Sequence, residues 1–99
     1  MQVSVKAITP PLKPNRLADA TVELSDGSGH SVEISDIRIL RNQKTGESWI
    51  APPTHSIPHP QKKWDYAKTC EFSRALFRDI ESAVLDAYAA WQAAQAGRP

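Results

Sequence analysis

The chain has 99 residues, enough for one domain with one core, and 40% of them are hydrophobic and 23% charged, a balance that excludes intrinsic disorder. The formal net charge of +1 excludes a generally basic binder, so affinity for a polyanion would require basic residues concentrated in one place. No apolar run approaches the ~20 residues that span a bilayer, and the first residues lack a signal-peptide layout. We expect one domain over residues 1–99, with a short flexible end after about residue 95, in a cytoplasmic protein without membrane contact.

The first quarter of the chain alternates between apolar and polar residues. Val3 to Thr9 predicts a short strand, and the prolines that follow lack amide donors, which makes Pro10 to Asn15 an extended connector. Ala18 to Leu24 predicts a second strand by its clean period of two. Asp26 to Gly29 then supplies residues that tolerate positive φ, which indicates a hairpin turn.

The third predicted strand, His30 to Arg41, changes parity half-way along. Its four apolar residues are Val32, Ile34, Ile37 and Ile39. In a regular strand the first two would face away from the last two. A β-bulge at Ser35 and Asp36 would bring all four to one face, so we predict a bulge there. Asp36 is expected to be partly buried and bonded to nearby backbone amides.

The middle of the chain contains a predicted turn, two predicted strands and a proline-rich segment between them. A polar turn is predicted at Asn42 to Gly46, and a short fourth strand around Trp49 and Ile50. Prolines make Pro52 to Gln61 a predicted stiff loop that stays outside any ladder. Period-two alternation then predicts a fifth strand from Trp64 to Phe72, with Cys70 on its core side.

The last third of the chain has the periodicity of an amphipathic helix. Ser73 is a predicted N-cap, Gly97 follows the helical pattern, and seven apolar residues share one face: Leu76, Phe77, Ile80, Val84, Ala87, Tyr88 and Trp91. The predicted fold is therefore α+β, an antiparallel meander sheet of about five strands with one long C-terminal helix packed on it. Because such a small sheet leaves open edges, we expect a homodimer.

Basic residues are concentrated between Asp36 and Lys68, a stretch that contains six basic and three acidic residues. Arg74 and Arg78 add a pair on one face of the helix start, where free amides favour anions. The residues expected to contact nucleic acid are Lys62, Lys63, Arg74, Arg78, Arg38 and Arg41, with less weight on the last two. The alternative is a solvated basic face, in which Arg78 pairs with Glu81.

Other site chemistry has weaker support. The soft metal ligands are His30, His55, His59 and Cys70, and Pro58 excludes a helical His pair, so no metal or other cofactor is expected. The three tryptophans are expected to pack rather than stack on bases. The chain lacks a nucleophile elbow, a phosphate-binding Gly-rich loop and a carboxylate pair, so neither an enzyme nor a small-molecule substrate is predicted.

Three stretches together resemble the sporulation stage V protein G family of septation regulators, in particular its divergent branch. They are Ser35-Asp36-Ile37-Arg38-Ile39, then Trp49-Ile50-Ala51-Pro52-Pro53 after a turn with Gly46, and Ile80-Glu81-Ser82-Ala83-Val84-Leu85-Asp86-Ala87-Tyr88. The resemblance covers roughly Leu17 to Tyr88. It implies a dimeric α+β domain that regulates by binding DNA and, in some members, RNA.

The resemblance also implies where the nucleic acid would bind. The family's basic residues lie in the loop after the proline-terminated strand and at the helix start. At the loop this chain has His55 and Ser56 in place of a basic pair, with Lys62 and Lys63 several residues later.

The sequence leaves two other functions open. One is a protein-interaction module that docks a partner on the Pro52 to Pro60 segment or on a sheet edge. The other is a phage or mobile-element accessory protein with no nucleic-acid ligand.

Overall fold

A computed structural model describes residues 1–11, 16–58, 64–68 and 71–97, with the backbone alone for 55–58 and 64–68. In chain order the elements are β1 (Gln2–Thr9), β2 (Ala18–Ser25), β3 (Ser31–Arg41), β4 (Ser48–Ala51), β5 (Thr54–Pro58), β6 (Trp64–Lys68) and α1 (Arg74–Ala96). Strands β1 to β4 form an antiparallel meander, and α1 packs on one of its faces. The predicted α+β class is therefore confirmed.

The predicted β-bulge in β3 is present. Ala20 of β2 lies opposite Ile37, and Val22 lies opposite Ile34, so three steps along β3 match two along β2. Asp36 occupies the extra position with φ of 63°. The bulge brings the apolar residues before and after it to one face of the sheet, since Ile37 and Ile39 are fully buried and Ile34 is half-buried on the same side.

Both predicted turns have the expected chemistry. In the first, the Asp26 amide donates to the His30 carbonyl at 3.1 Å, and Gly27 and Gly29 have φ of 82° and 97°. In the second, the Asn42 side-chain oxygen accepts from the Lys44 amide at 2.9 Å. Short polar turns of this kind fix the register of the strands on either side.

Helix α1 begins and ends where its caps predict. The Ser73 hydroxyl accepts from the Leu76 amide at 3.2 Å, and Gly97 caps the other end. Ile80, Val84 and Tyr88 are buried at four-residue intervals and meet Ala18, Val22 and their neighbours on the helix side of the sheet, in the single core formed by the described residues. Each large apolar side chain buried there contributes about 1.5–3 kcal/mol.

The prediction for the segment between β4 and the helix was wrong in two respects. Thr54–Pro58, predicted as a loop outside any ladder, is strand β5, and it pairs with β6 in a separate two-stranded antiparallel sheet. Pro58 takes the terminal pair, opposite Trp64, where a missing amide donor interrupts no continuing ladder. The sheet under the helix consequently has four strands rather than five.

The predicted fifth strand is also shorter than expected. It ends at Lys68, and Phe72 lies outside any strand, immediately before the helix cap. Cys70 lies outside the described residues. Strands β5 and β6, called the β5–β6 hairpin below, pair with each other and not with the four-stranded sheet.

Candidate nucleic-acid interface

The start of α1 carries two of the predicted basic residues side by side. Arg74 and Arg78 are exposed and one helical turn apart, and the first turn of the helix has no acidic residue. Within the described part of the chain neither arginine forms an ion pair, so the expected alternative of an Arg78–Glu81 pair is not seen. Two uncompensated guanidinium groups beside the positive end of the helix dipole favour an anion at this position.

A groove of about 570 Å³ opens beside these arginines, between edge strand β4 and the start of the helix. We call it the β4–α1 groove. One wall is Trp49, Ile50, Ala51 and Pro52, and the other is Glu71, Phe72, Arg74, Phe77 and Glu81. Arg74 thus belongs both to the basic pair and to the groove.

Three aromatic residues line the β4–α1 groove. Trp49 is 44% exposed, so the expectation that it packs in the core was wrong. The reason is its position, since β4 is an edge strand and Trp49 pairs with Leu40, which puts its side chain on the sheet face away from the helix, whereas Ile50 pairs with the buried Ile39. Phe72 and Phe77 are half-buried and pack partly against the core. Phe72 and Phe77 therefore give the groove aromatic surface near Arg74.

Arg38 occupies the sheet face opposite the helix and supports one wall of this groove. It lies between the buried Ile37 and Ile39, and its Nη2 donates to the Pro52 carbonyl at 3.3 Å. Burial and the charge of Arg16 lower the pKa of Arg38, while Asp19 acts in the opposite direction. Its Nε is buried without a hydrogen-bond partner. These contacts hold Pro52 in place and leave Arg38 only partly accessible.

Asp19 is the buried acid of the described residues, at 5% exposure. Its carboxylate accepts from Arg16 Nη1 at 2.9 Å, and it lies opposite Arg38 in the β2–β3 register. The prediction that Asp36 would be the partly buried acid was wrong, because the bulge turns Asp36 outward and leaves it exposed. Asp19 instead pairs with Arg16, and its charge also acts on Arg38, in a charged cluster on the sheet face away from the helix.

The structure brings only some of the predicted site residues together. Arg74 and Arg78 lie together, and Arg38 is linked to the same groove through Pro52. Arg41 is exposed at the far end of β3, opposite Ser48, about 10 Å along the strand from Arg38. Lys62 and Lys63 lie outside the described residues.

Sequence reasoning missed the groove and Arg16. Phe72 and Phe77 are predicted in a strand and on the core face of the helix, and no local pattern places them beside β4. The one available signal was Pro52-Pro53, which ends β4 directly beside the groove.

No protein-family model, curated protein or solved structure matches the chain. Among the described residues, no helix is both long and apolar enough to cross a membrane.

Proposed function

We propose that the protein is a small cytoplasmic nucleic-acid-binding regulator that contacts phosphate groups through Arg74 and Arg78. The observation that carries the proposal is the pair itself, two exposed arginines without a described ion-pair partner at a helix start free of acidic residues. Arginine is suited to this role because its planar guanidinium matches the geometry of a phosphate group. Lys62, Lys63 and Arg41 are proposed as further contacts, and Arg38 as a support for the groove wall.

The proposal extends to the homodimer and to the septation-regulator family that the sequence resembles. Support for pairing comes from edge strands β1 and β4 and from the two-stranded β5–β6 hairpin, which have backbone edges that a second copy can cover. In a dimer the arginine pair occurs twice, so about four phosphates would be neutralised. Sedimentation equilibrium tests the dimer, and a single 10.9 kDa species at all concentrations would refute it.

The proposal predicts how steeply the binding constant falls with salt concentration. Four phosphate contacts predict a slope of about −3.6 for log K against log salt on duplex DNA, and less on single strands. The test is a titration of labelled duplex DNA, single-stranded DNA and RNA by fluorescence anisotropy at several salt concentrations. Arg74→Gln/Arg78→Gln should weaken binding and make the slope less steep by about 3.6, leaving the part that Lys62, Lys63 and Arg41 contribute.

A matched control separates this site from net charge. Lys6→Gln/Lys44→Gln removes the same charge from exposed positions on β1 and on the β3–β4 turn, and it should leave most of the affinity in place. Equal losses in both double variants would show that only overall charge matters. No binding by the parent at low salt would remove the nucleic-acid proposal.

That last outcome would favour a protein-interaction module. The observation behind this second candidate is the β5–β6 hairpin, a two-stranded sheet with an unpaired side on each strand. Such edges accept an extended peptide as an additional strand.

A further inference from the structure

The two edges of the four-stranded sheet are protected unequally against further pairing. On edge strand β1 the register shifts between Val5 and Ala7, so Lys6 occupies a bulge, where its ammonium group lies 3.4 Å from the Glu23 carboxylate. A bulge and a lysine are two features that keep an edge strand from pairing with another chain. Edge strand β4, Ser48–Ala51, has no charged residue, no proline and no register shift in its pairing with β3. Among the described strands of this sheet, β4 is therefore the edge suited to pair with a further strand.

The ladder on the inner side of β4 determines which of its backbone groups point to the open edge. The Ile39 carbonyl accepts from the Leu17 amide at 2.8 Å, so Ile39 directs its backbone groups away from β4. Ile50, which lies opposite Ile39, consequently directs its own amide and carbonyl to the open edge, and by alternation so does Ser48. In the described part of the chain, neither Ser48 nor Ile50 forms a hydrogen bond outside the strand ladder. The donors and acceptors of both residues are therefore available to a second strand.

A second copy of β4 can satisfy these groups in one antiparallel register. When Ser48 of one copy lies opposite Ile50 of the other, each such pair exchanges both of its N–H···O bonds, which gives about four hydrogen bonds between the copies. Trp49 of one copy then lies opposite Trp49 of the other, in the non-hydrogen-bonded pair where side chains come closest. The alternative register, with Ile50 opposite Ile50, would place Pro52 opposite Ser48, and proline has no amide to donate. The sequence of β4 is thus complementary to itself in the first register.

We propose that the protein dimerises by antiparallel pairing of β4 with β4 of a second copy, with Trp49 opposite Trp49, so that two four-stranded sheets join into one continuous sheet. This inference rests on the proposed homodimer and names its interface. It also accounts for Trp49, which is 44% exposed in the single chain and lies on the sheet face away from the helix. An aromatic pair directly opposite each other on neighbouring strands stabilises a sheet.

The same register brings the two candidate nucleic-acid sites together. Ser48 and Ile50 lie on the helix side of β4, so pairing them with each other places both helices on the same face of the joined sheet. Arg74 of each copy lines the groove beside its own β4. The Arg74 and Arg78 pairs of the two copies therefore lie on one face, on either side of the two-fold axis. A phosphate backbone that crosses the axis would meet both pairs.

The test uses the fact that a charge at position 49 would lie opposite itself across the dimer axis. Trp49→Lys and Trp49→Glu should each weaken self-association about tenfold, because the aromatic pair is lost and like charges lie opposite each other. An equimolar mixture of the two variants should restore dimerisation, since opposite charges then lie opposite each other. Sedimentation equilibrium of the full chain measures this as a mass of 10.9 kDa for the monomer and about twice that for the dimer. Because Trp49 is exposed, both variants should keep the circular dichroism spectrum of the folded parent.

Val32→Lys is the matched control, because Val32 is also an exposed apolar residue, at 53%, but lies on the part of β3 that does not pair with β4. This variant should dimerise like the parent. Unchanged dimerisation of Trp49→Lys, or a mixture of the two Trp49 variants that does not dimerise, would overturn the β4 pairing and leave a homodimer formed through another surface. A parent that is monomeric at all concentrations would overturn the homodimer as well. These measurements involve no nucleic acid, so the phosphate-binding proposal stands or fails separately.

Discussion

Asp36 provides a sharp test of how the sheet is built, because it is the one non-glycine residue with positive φ in the described chain. Its φ of 63° lies in the left-handed region, where Asp and Asn are tolerated and β-branched residues are strongly disfavoured. Ser35, its neighbour in the same strand, is exposed and does not share this conformation. One substitution made at both positions should therefore have opposite effects.

The expected loss of stability follows from the backbone conformation at position 36. Valine at position 36 would have to adopt the left-handed conformation at a cost of about 1–2 kcal/mol relative to Asp, or remove the bulge. Removing the bulge would turn Ile37 and Ile39 out of the core, which costs more than the strain. Glycine relieves the strain but raises the entropy of the unfolded chain, so Asp36→Gly should be within about 0.5 kcal/mol of the parent or better.

The assay is urea denaturation followed by circular dichroism, with thermal melts as a second measurement. Asp36→Val should lower the melting temperature by about 4–8 °C for each kcal/mol, as expected for a domain of this size. Ser35→Val should be neutral or slightly stabilising, since valine favours ordinary strand positions. If valine is tolerated equally at both positions, the bulge does not have the conformation described here.

Three further predictions concern caps and charges. Ser73→Ala removes the acceptor for the Leu76 amide and should lower the free energy of unfolding by about 1 kcal/mol, measured by urea denaturation; Ser82→Ala in the exposed middle of the helix is the control. Asp19→Ala removes the ion-pair partner of Arg16 and the negative charge that acts on Arg38, and should cost about 2–3 kcal/mol, whereas a cost near zero would show that these charges are not coupled. The Ser28 amide and hydroxyl, with a smaller contribution from His30, lower the pKa of Asp26, so its contribution to stability is present above the unfolded pKa near 3.8 and is lost as the pH falls through the lower folded value. The difference in stability between the parent and Asp26→Asn should accordingly disappear in acid, and a difference that persists there would contradict this assignment.

Local patterns were sufficient to predict the parts of the fold that local interactions determine. The strand alternation of β2, the caps of α1 and the parity change in β3 each depend on residues within a few positions of one another. The bulge is the clearest case, because only one extra residue reconciles Ile34 with Ile37 on a single buried face. These locally determined strands, followed by one helix, were also enough to predict the α+β class.

Pairings between distant segments could not be predicted in the same way. The proline content of 52–60 argued against a strand, yet β5 forms because its partner β6 accepts a proline at the terminal pair. The charge of the buried Asp19 acts on Arg38, which strand pairing brings opposite it from β3, and alternation alone does not show this. The groove likewise depends on β4 and α1, more than twenty residues apart.

The bulge and the candidate site are linked through Arg38. Because the extra residue at Asp36 sets the parity of the rest of β3, it directs Ile37 and Ile39 to the helix and Arg38 to the opposite face, where it donates to the Pro52 carbonyl. Pro52 and Trp49 belong to the same wall of the β4–α1 groove. A change that removes the bulge would therefore lower stability and distort the groove together, whereas Arg74→Gln/Arg78→Gln changes exposed side chains at the helix start and would affect binding alone. Comparing the two separates binding lost through misfolding from binding lost at the site.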